Sequence, residues 1–249
     1  MRFIKLLSAL FLFSLTSCTF TENIYINDDG SGKFSFDMDA SAIMAMIPND
    51  SLKSDKTSSE KDIDSVFTFK EILESKKDSI SKLPKEQQEK LKKMENFSMK
   101  MKMNEAKKEF LFSIMTDFKS VSELQDAMST MEEVQKMNKQ PQSGNPMMPK
   151  SGGFDNNATL KYTFDGKKFT RKATLKKPLP KVDADSIDTY AMIYESSKYI
   201  VKYHFPKKVK SVTNKTALFS EDRKTITIEY PFMDYMKAPE KLNFDVQFE

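Results

Sequence analysis

The sequence predicts an α+β fold in which antiparallel sheets, arranged as meanders, carry amphipathic helices packed on one face. Three observations support this class. Apolar and polar residues alternate with a period of two through most of residues 158–249, as they do in half-buried strands. Segments within residues 68–138 instead space apolar residues three and four apart behind helix-capping residues. Short turn sequences between the alternating segments favour hairpins.

The first predicted element of the folded part is a β-hairpin. Residues 24–26 and 33–38 alternate apolar and polar side chains, and the Asp- and Gly-rich stretch between them has turn chemistry. Residues 41–47 form an amphipathic segment that turns the chain. Residues 49–62 show no apolar periodicity, which predicts a loop.

Capping residues mark the predicted helices. Thr68 and Glu71 have the spacing of a capping box, and Pro84 suits the first turn of a helix over residues 85–95. Apolar residues at three- and four-residue spacing predict a longer amphipathic helix over residues 121–138.

A second hairpin is predicted around a methionine-rich strand. Met99, Met101 and Met103 alternate with polar residues, and an answering strand covers residues 110–114. Thioether sulfur is a ligand that Cu(I) prefers. However, these methionines occupy the inward positions of the strand, and methionine fills irregular cores well. Packing is therefore the favoured interpretation, with Cu(I) binding as the lesser alternative.

Strands dominate the chain beyond residue 158. Asp165-Gly166 separates two alternating segments and is the strongest short hairpin signal in the sequence. Residues 199–205 and 225–230 alternate in the same way, and residues 242–248 form a regular final strand. This regularity predicts that the C-terminus lies inside a sheet.

The N-terminal segment resembles a lipoprotein signal peptide. Arg2 and Lys5 precede an apolar run too short to span a bilayer, and small residues follow it. Leu15-Thr16-Ser17-Cys18 resembles the lipobox of bacterial lipoproteins, and Cys18 is the only cysteine in the chain. The resemblance implies that Cys18 receives a diacylglyceryl thioether, becomes the new N-terminus and attaches the protein to a membrane.

These features predict four regions. Residues 1–17 are the signal peptide, and residues 18–138 are an N-terminal α+β region. Residues 139–157, rich in Pro, Gly and Asn, are a loop or linker. Residues 158–249 are a C-terminal β-rich region, which forms either a domain of its own or one continuous domain with residues 18–138.

Positive charge is concentrated in the C-terminal region. Residues 166–182 and 196–220 carry lysine and arginine without a single acidic residue. Solvated strand faces explain such runs, because edge strands carry lysine against aggregation. The functional interpretation is an anion-binding patch for phospholipid headgroups, acidic glycans or an acidic partner. The candidate contacts are Lys168, Lys172, Lys176, Lys207, Lys208 and Lys210.

Composition argues against several classes of function. One histidine, His204, and one cysteine are too few for the common zinc-protease and zinc-finger motifs, and the glycines form no nucleotide-binding or nucleophile-elbow motif. A hydrolase built on a carboxylate pair stays as a lesser alternative. We therefore expect no enzyme, no cofactor and no metal site. The modest net charge of +4 does not suggest nucleic acid as a partner.

The order of motifs resembles that of a known group of proteins. A lipobox cysteine, an immediate Asp29-Gly30-Ser31-Gly32 hairpin and a late Phe205-Pro206-Lys207-Lys208 segment before a terminal strand resemble uncharacterised envelope lipoproteins of the Bacteroidota. They resemble the LppM-type lipoprotein domain more distantly. The resemblance implies an envelope location. Thr19 after the cysteine, without a following acidic cluster, favours the outer membrane and its periplasmic face.

The sequence therefore predicts a lipid-anchored envelope protein that binds an anionic lipid or glycan without catalysis. The alternative is a scaffold or accessory subunit that binds another envelope protein through a sheet edge or the Met-bearing helix.

Overall fold

The computed structural model describes residues 17–46, 62–125, 158–176 and 195–249. Within these ranges, the chain forms two β-sheets and several short helices. The strands are β1 (Thr19–Ile26), β2 (Gly32–Asp39), β3 (Asp62–Thr68), β4 (Phe97–Asn104), β5 (Glu109–Phe118), β6 (Ala158–Phe164), β7 (Lys168–Leu175), β8 (Lys198–His204), β9 (Val209–Val212), β10 (Leu218–Phe219), β11 (Thr225–Pro231) and β12 (Phe244–Phe248).

The larger sheet has eight strands in the order β10-β11-β8-β1-β2-β5-β4-β3. The predicted hairpins β1–β2 and β4–β5 are confirmed, and both are antiparallel. β1 also pairs with β8 in parallel, so that Thr19 lies opposite Lys198. Residues 18–138 and residues 158–249 therefore contribute strands to the same sheet, and the predicted linker between them lies outside the described residues.

The smaller sheet has four strands in the order β6-β7-β12-β9. The hairpin predicted at Asp165-Gly166 joins β6 to β7, and Gly166 adopts φ +79°, which a glycine tolerates at no steric cost. The C-terminal strand β12 lies between β7 and β9, as its regular alternation predicted. The inward-facing residues of this sheet pack against the larger sheet.

Five α-helices and one 3₁₀ helix lie within the described ranges. They are α1 (Ser41–Met46), α2 (Phe69–Ser75), α3 (Lys77–Ile80), α4 (Lys85–Lys93), α5 (Phe232–Lys237) and the 3₁₀ helix (Pro239–Leu242). The capping box of Thr68 and Glu71 is confirmed at the start of α2, and Pro84 precedes α4 as its N-cap. The helix predicted over residues 121–138 lies mostly outside the described residues, as does the loop over residues 49–62.

The expectation that amphipathic helices cover one face of the sheet is wrong. α2, α3 and α4 bury none of their residues, whereas Phe232 and Tyr235 of α5 are buried. The physical reason is that the smaller sheet covers part of the apolar side of β1 and β8, and the short helices α1 and α5 fill the space beside it, where Phe232 stacks on Phe20. Among the described residues, no helix is long and apolar enough to cross a membrane.

Aromatic side chains fill the space between the two sheets. Phe169 of β7 contacts Tyr203 of β8 with ring centroids 5.5 Å apart, and Phe205 at 5.4 Å. Phe20 of β1 stacks on Phe232 at 4.1 Å. The predicted inward methionines Met99, Met101 and Met103 are partly buried against this core. Burial of these rings is the main source of stability in a chain with one cysteine.

Candidate functional site

Cys18 lies at the entrance of a central strand. β1 begins at the next residue, and the Cys18 carbonyl accepts a hydrogen bond from the Lys198 amide at 3.0 Å. The Cys18 amide donates to Ser197 Oγ at 3.2 Å. The Cys18 side chain is fully buried. No flexible spacer therefore separates the predicted anchor residue from the folded sheet.

The Cys18 thiol is a weak nucleophile in the folded chain. Burial is the largest effect and raises its pKa to about 11, although hydrogen bonds from the Ile43 backbone and the Ser197 side chain oppose the shift. Thiolate is the nucleophilic form of cysteine, and little of it exists at neutral pH with such a pKa. Modification of Cys18 therefore requires the chain before β1 has packed, or an opening of this end of the sheet.

The structure does not bring the six predicted lysines together. Lys207 reaches the Gly166 carbonyl at 2.9 Å, at the β6–β7 turn. Lys176 follows β7 directly, at the opposite end of that strand. Since a strand rises about 3.3 Å per residue, the eight residues of β7 separate these two ends by roughly 26 Å. Lys208 is exposed in the loop between β8 and β9, and Lys210 is exposed on β9.

The turn end of β7 also lies far from Cys18. Tyr162 of β6 contacts Glu22, four residues beyond Cys18. Phe164 is directed toward the turn beyond β1, because a Cβ on Gly30 would lie 3.7 Å from its ring. β6 therefore runs away from the Cys18 end, and β7 returns toward it. The six lysines are therefore distributed over both ends and the middle of the smaller sheet, and they do not form one patch.

Two of the predicted lysines, Lys168 and Lys172, lie on the outer face of the smaller sheet. Lys168 is committed to an ion pair, with its Nζ 2.8 Å from Asp245 Oδ2. Thr170 donates to the other carboxylate oxygen at 2.7 Å. These contacts, that of Lys168 first, lower the pKa of Asp245 below its ordinary value despite a small opposing effect of burial. Lys172 makes no ion pair with any described residue.

A lysine that the sequence analysis missed completes the centre of this face. Lys161 of β6 lies directly opposite Lys172 of β7, and both are exposed. Pairs of threonines lie opposite each other on both sides of the lysine pair. We name this surface the Lys–Thr face, and its members are Thr159, Lys161, Thr163, Thr170, Lys172 and Thr174.

The signal for Lys161 was present in the sequence. The hairpin signal at Asp165-Gly166 predicts that the two flanking strands pair, and in the observed register Phe164 lies opposite Phe169, which places residue 161 opposite residue 172. Lys161 lies outside the basic run of residues 166–182, so charge patterning alone did not indicate it.

A second charged cluster is completely buried between the sheets. Glu22 of β1 and Arg171 of β7 form an ion pair with 3.1 Å between Glu22 Oε2 and Arg171 Nη2, at 0% and 1% exposure. Tyr162 donates to Glu22 Oε1 at 2.7 Å, and the hydroxyls of Tyr199 and Tyr203 also donate to this carboxylate. We name these five residues the Glu22 cluster.

The Glu22 cluster is fully hydrogen-bonded. Each oxygen of Glu22 receives two donors, and Arg171 also donates to Tyr203 Oη and to the Leu242 carbonyl, both at 3.1 Å. Burial alone would raise the pKa of Glu22, but Arg171 and the tyrosine hydroxyls outweigh it and hold the pKa below its ordinary value. Burial likewise opposes the charge of Arg171, yet the Glu22 carboxylate keeps its pKa well above the usual value. The geometry is that of a clamp between the two sheets.

His204 lies on the outer face of β8. Its ring stacks on Tyr25 with centroids 3.9 Å apart, and Nδ1 lies 2.9 Å from Thr225 Oγ1. Burial lowers its pKa, and Lys202 adds to the effect. Within the described parts of the chain, no group of three histidine, cysteine or acidic side chains is arranged to hold a metal ion.

Comparisons with known proteins give little. No family model matches the sequence, and no curated protein matches it. Among solved structures, the chain is similar to the folded domain of LppM from Mycobacterium tuberculosis, determined by NMR. The TM-score is 0.40 at 8% identity, over 95% of this chain and 92% of that one. So weak a likeness carries no argument about function, and the expected Bacteroidota-type resemblance stays a prediction.

Proposed function

We propose that this protein is a lipid-anchored envelope protein that binds, without catalysis, an anionic group carried by an envelope lipid or glycan. Cys18 is the anchor and the Lys–Thr face is the binding surface. The observation that carries the proposal is the cross-strand pair of Lys161 and Lys172, two exposed ammonium groups held opposite each other without a carboxylate partner among the described residues.

This arrangement costs the folded protein stability. Side chains directly opposite on neighbouring strands have Cβ atoms about 4.5–5.5 Å apart, and like charges there repel. Asp245 is the one carboxylate on the described strands of the smaller sheet, and it is occupied by Lys168 and Thr170. An anion between Lys161 and Lys172 would relieve the repulsion and gain two charge-assisted hydrogen bonds.

The binding proposal is tested by removing charge at two matched places. Lys161→Gln/Lys172→Gln is compared with Lys33→Gln/Lys202→Gln, which removes two exposed lysines from the outer face of the larger sheet. We expect the first variant to bind carboxymethyl-dextran at least about tenfold more weakly than the second at low salt, since each charge-assisted contact contributes 1.5 kcal/mol or more. Equal binding by the two variants contradicts the proposal.

The anchor proposal rests on the lipobox-like sequence and on the position of Cys18 directly before β1. The outer membrane and its periplasmic face are the proposed location. Cys18→Ser should leave the protein uncleaved or release it from the membrane fraction. Serine has no sulfur to form the thioether, and the protein would then lack the two or more acyl chains that stable attachment needs. A variant that is still processed and still sediments with membranes would refute the anchor.

A scaffold that binds another envelope protein is the second candidate. β3 is an edge strand of the larger sheet, and its Val66 and Phe67 are 61% and 40% exposed. The helices that follow β3 form a groove of about 550 Å³ with Leu73, Ile80 and Leu91 among its lining residues. Exposed apolar residues of this kind favour a protein partner. Cross-linking from residue 66 in native membranes should then yield one stoichiometric partner, and its absence excludes this candidate.

A further inference from the structure

The position of the anchor restricts what the Lys–Thr face can reach. Cys18 precedes β1, a central strand of the larger sheet, while the Lys–Thr face points outward from the smaller sheet. Facing sheets are about 10 Å apart, so the face and the anchor are separated by the thickness of the sandwich. This separation restricts contact with the membrane only if Cys18 is the anchor, and the inference therefore rests on the proposed function.

The protein cannot place the Lys–Thr face on the headgroups of a bilayer and, at the same time, keep the acyl chains of Cys18 fully inserted in that bilayer. If the Lys–Thr face lay on the headgroups, Cys18 would be lifted by roughly the 10 Å between the sheets, and its acyl chains would be drawn out of the hydrocarbon. If instead the Cys18 end met the bilayer, the backbone of Lys161 would stand roughly 13 Å above it, since neighbouring Tyr162 contacts Glu22, four strand residues from Cys18. Salt screens a charge over about 8 Å at physiological ionic strength.

We propose that the Lys–Thr face binds an acidic sugar of an anionic glycan, not the bilayer that holds Cys18. The order of side chains along the face fits this ligand. The Lys161–Lys172 pair provides two ammonium groups at the centre, and the threonine pairs provide hydroxyls on both sides, at a spacing of about 6.8 Å along the strands. A chain of acidic sugars presents this order, because each carboxylate or phosphate along it is flanked by the hydroxyls of its own sugar and of the neighbouring one.

The flat shape of the face also favours a polymer. Thr159, Lys161, Thr163, Lys172 and Thr174 are all exposed on two neighbouring strands, so no wall encloses a small molecule. A chain laid along the strands would contact these pairs one after another, and the combined contacts would compensate for the weakness of each. Thr170, which donates to Asp245, keeps its lone pairs as acceptors for sugar hydroxyls.

Lysine labelling of the anchored protein tests the inference. Full-length lipidated protein is placed in nanodiscs of phosphatidylcholine alone or with phosphatidylglycerol, and an amine-reactive reagent is applied. Mass spectrometry then measures modification of Lys161 and Lys172, with Lys33 and Lys202 as internal controls. The probes are a galacturonic acid oligomer, a phosphorylated oligosaccharide and a neutral galactose oligomer.

We expect an acidic oligomer to abolish labelling of Lys161 and Lys172 while Lys33 and Lys202 keep theirs. The neutral oligomer and phosphatidylglycerol should have no effect. Protection by phosphatidylglycerol without any glycan would overturn the inference and leave the proposed function intact, with the anchoring bilayer as the partner. Protection by neither lipid nor acidic oligomer would contradict both.

Discussion

Glu22 is the single residue whose surroundings are most demanding. Its carboxylate is fully buried and paired with Arg171, and removal of one member of such a pair leaves a buried charge without compensation. We expect Glu22→Gln to lower the free energy of unfolding by about 3–5 kcal/mol. Chemical denaturation of the variant and the parent measures this difference.

A double-mutant cycle distinguishes the ion pair from local packing. Glu22→Gln combined with Arg171→Met should be destabilised by less than the sum of the two single substitutions, since the second change removes the stranded charge. Additive effects would mean that Glu22 and Arg171 are not energetically coupled.

The same residue gives the stability a pH dependence. The pKa of Glu22 is lower in the folded protein than its ordinary value of 4.5, so the stabilisation is complete above that pH and is lost as the pH falls through the folded pKa. Unfolding measured from pH 7 downward should show the parent losing stability below about pH 4.5. Glu22→Gln should have a flatter profile there, and parallel profiles would show that other carboxylates dominate.

The sequence contains a sign of the buried ion pair, because its two charged residues occupy apolar positions of their strands. Glu22 stands between Phe20 and Ile24 on the apolar face of β1, and Arg171 between Phe169 and Ala173 on that of β7. Opposite charges at inward positions of two strands indicate a buried pair. Which strand faces which could not be predicted, because the contact joins residues 149 positions apart.

One substitution in the β6–β7 hairpin should raise thermal stability and weaken anion binding. Lys161→Glu places opposite charges across the two strands, and such pairs stabilise a sheet by about 0.2–1 kcal/mol. The same change reverses the charge of the proposed site. We expect the variant to melt at a higher temperature than the parent and to lose anion binding. Calorimetry and a binding titration on one preparation measure both.

A control on the same hairpin keeps this prediction specific. Thr163→Glu introduces the same carboxylate opposite Thr170, where no like-charge pair exists to be relieved. It should not raise the melting temperature. If Lys161→Glu also leaves the melting temperature unchanged or lower, the Lys161–Lys172 repulsion is negligible.

Gly32 sets the closest approach within the β1–β2 hairpin. A Cβ at this position would lie 1.8 Å from the Tyr25 carbonyl oxygen and 2.6 Å from the Phe118 ring, so the backbone itself would have to move. Gly32→Ala should cost roughly 3 kcal/mol by thermal or chemical unfolding. At Gly166 a Cβ would come no nearer than 3.9 Å, to Lys207 Nζ, so Gly166→Ala should cost only about 1 kcal/mol, from its φ of +79°. Equal costs would contradict this difference.

Hairpins were the predictable elements of the fold. Period-two alternation and turn chemistry act within short stretches, which is why β1–β2, β4–β5 and β6–β7 followed from the sequence. The parallel pairing of β1 with β8 did not, because it joins distant residues and depends on which apolar faces remain uncovered. The position of the smaller sheet against the core depends on the same long-range contacts, and so could not be predicted either.

For the molecule as a whole, the proposed anchor and the proposed binding face belong to different sheets. Cys18 leads into the larger sheet with no spacer, and the Lys–Thr face projects from the smaller one. Under the proposed function, Cys18 holds the protein at a membrane and the Lys–Thr face presents its ammonium groups away from that membrane. The charge runs in the sequence indicated a basic C-terminal half, but only the strand register identified which two lysines lie opposite each other.

Native mass spectrometry of the mature protein, released gently from its own membranes, shows whether the Lys–Thr face binds an anion. We expect a retained anionic ligand on the parent and on Lys33→Gln/Lys202→Gln, and its loss from Lys161→Gln/Lys172→Gln. A ligand-free mass for the parent, or the same ligand on all three proteins, would contradict binding at the Lys–Thr face.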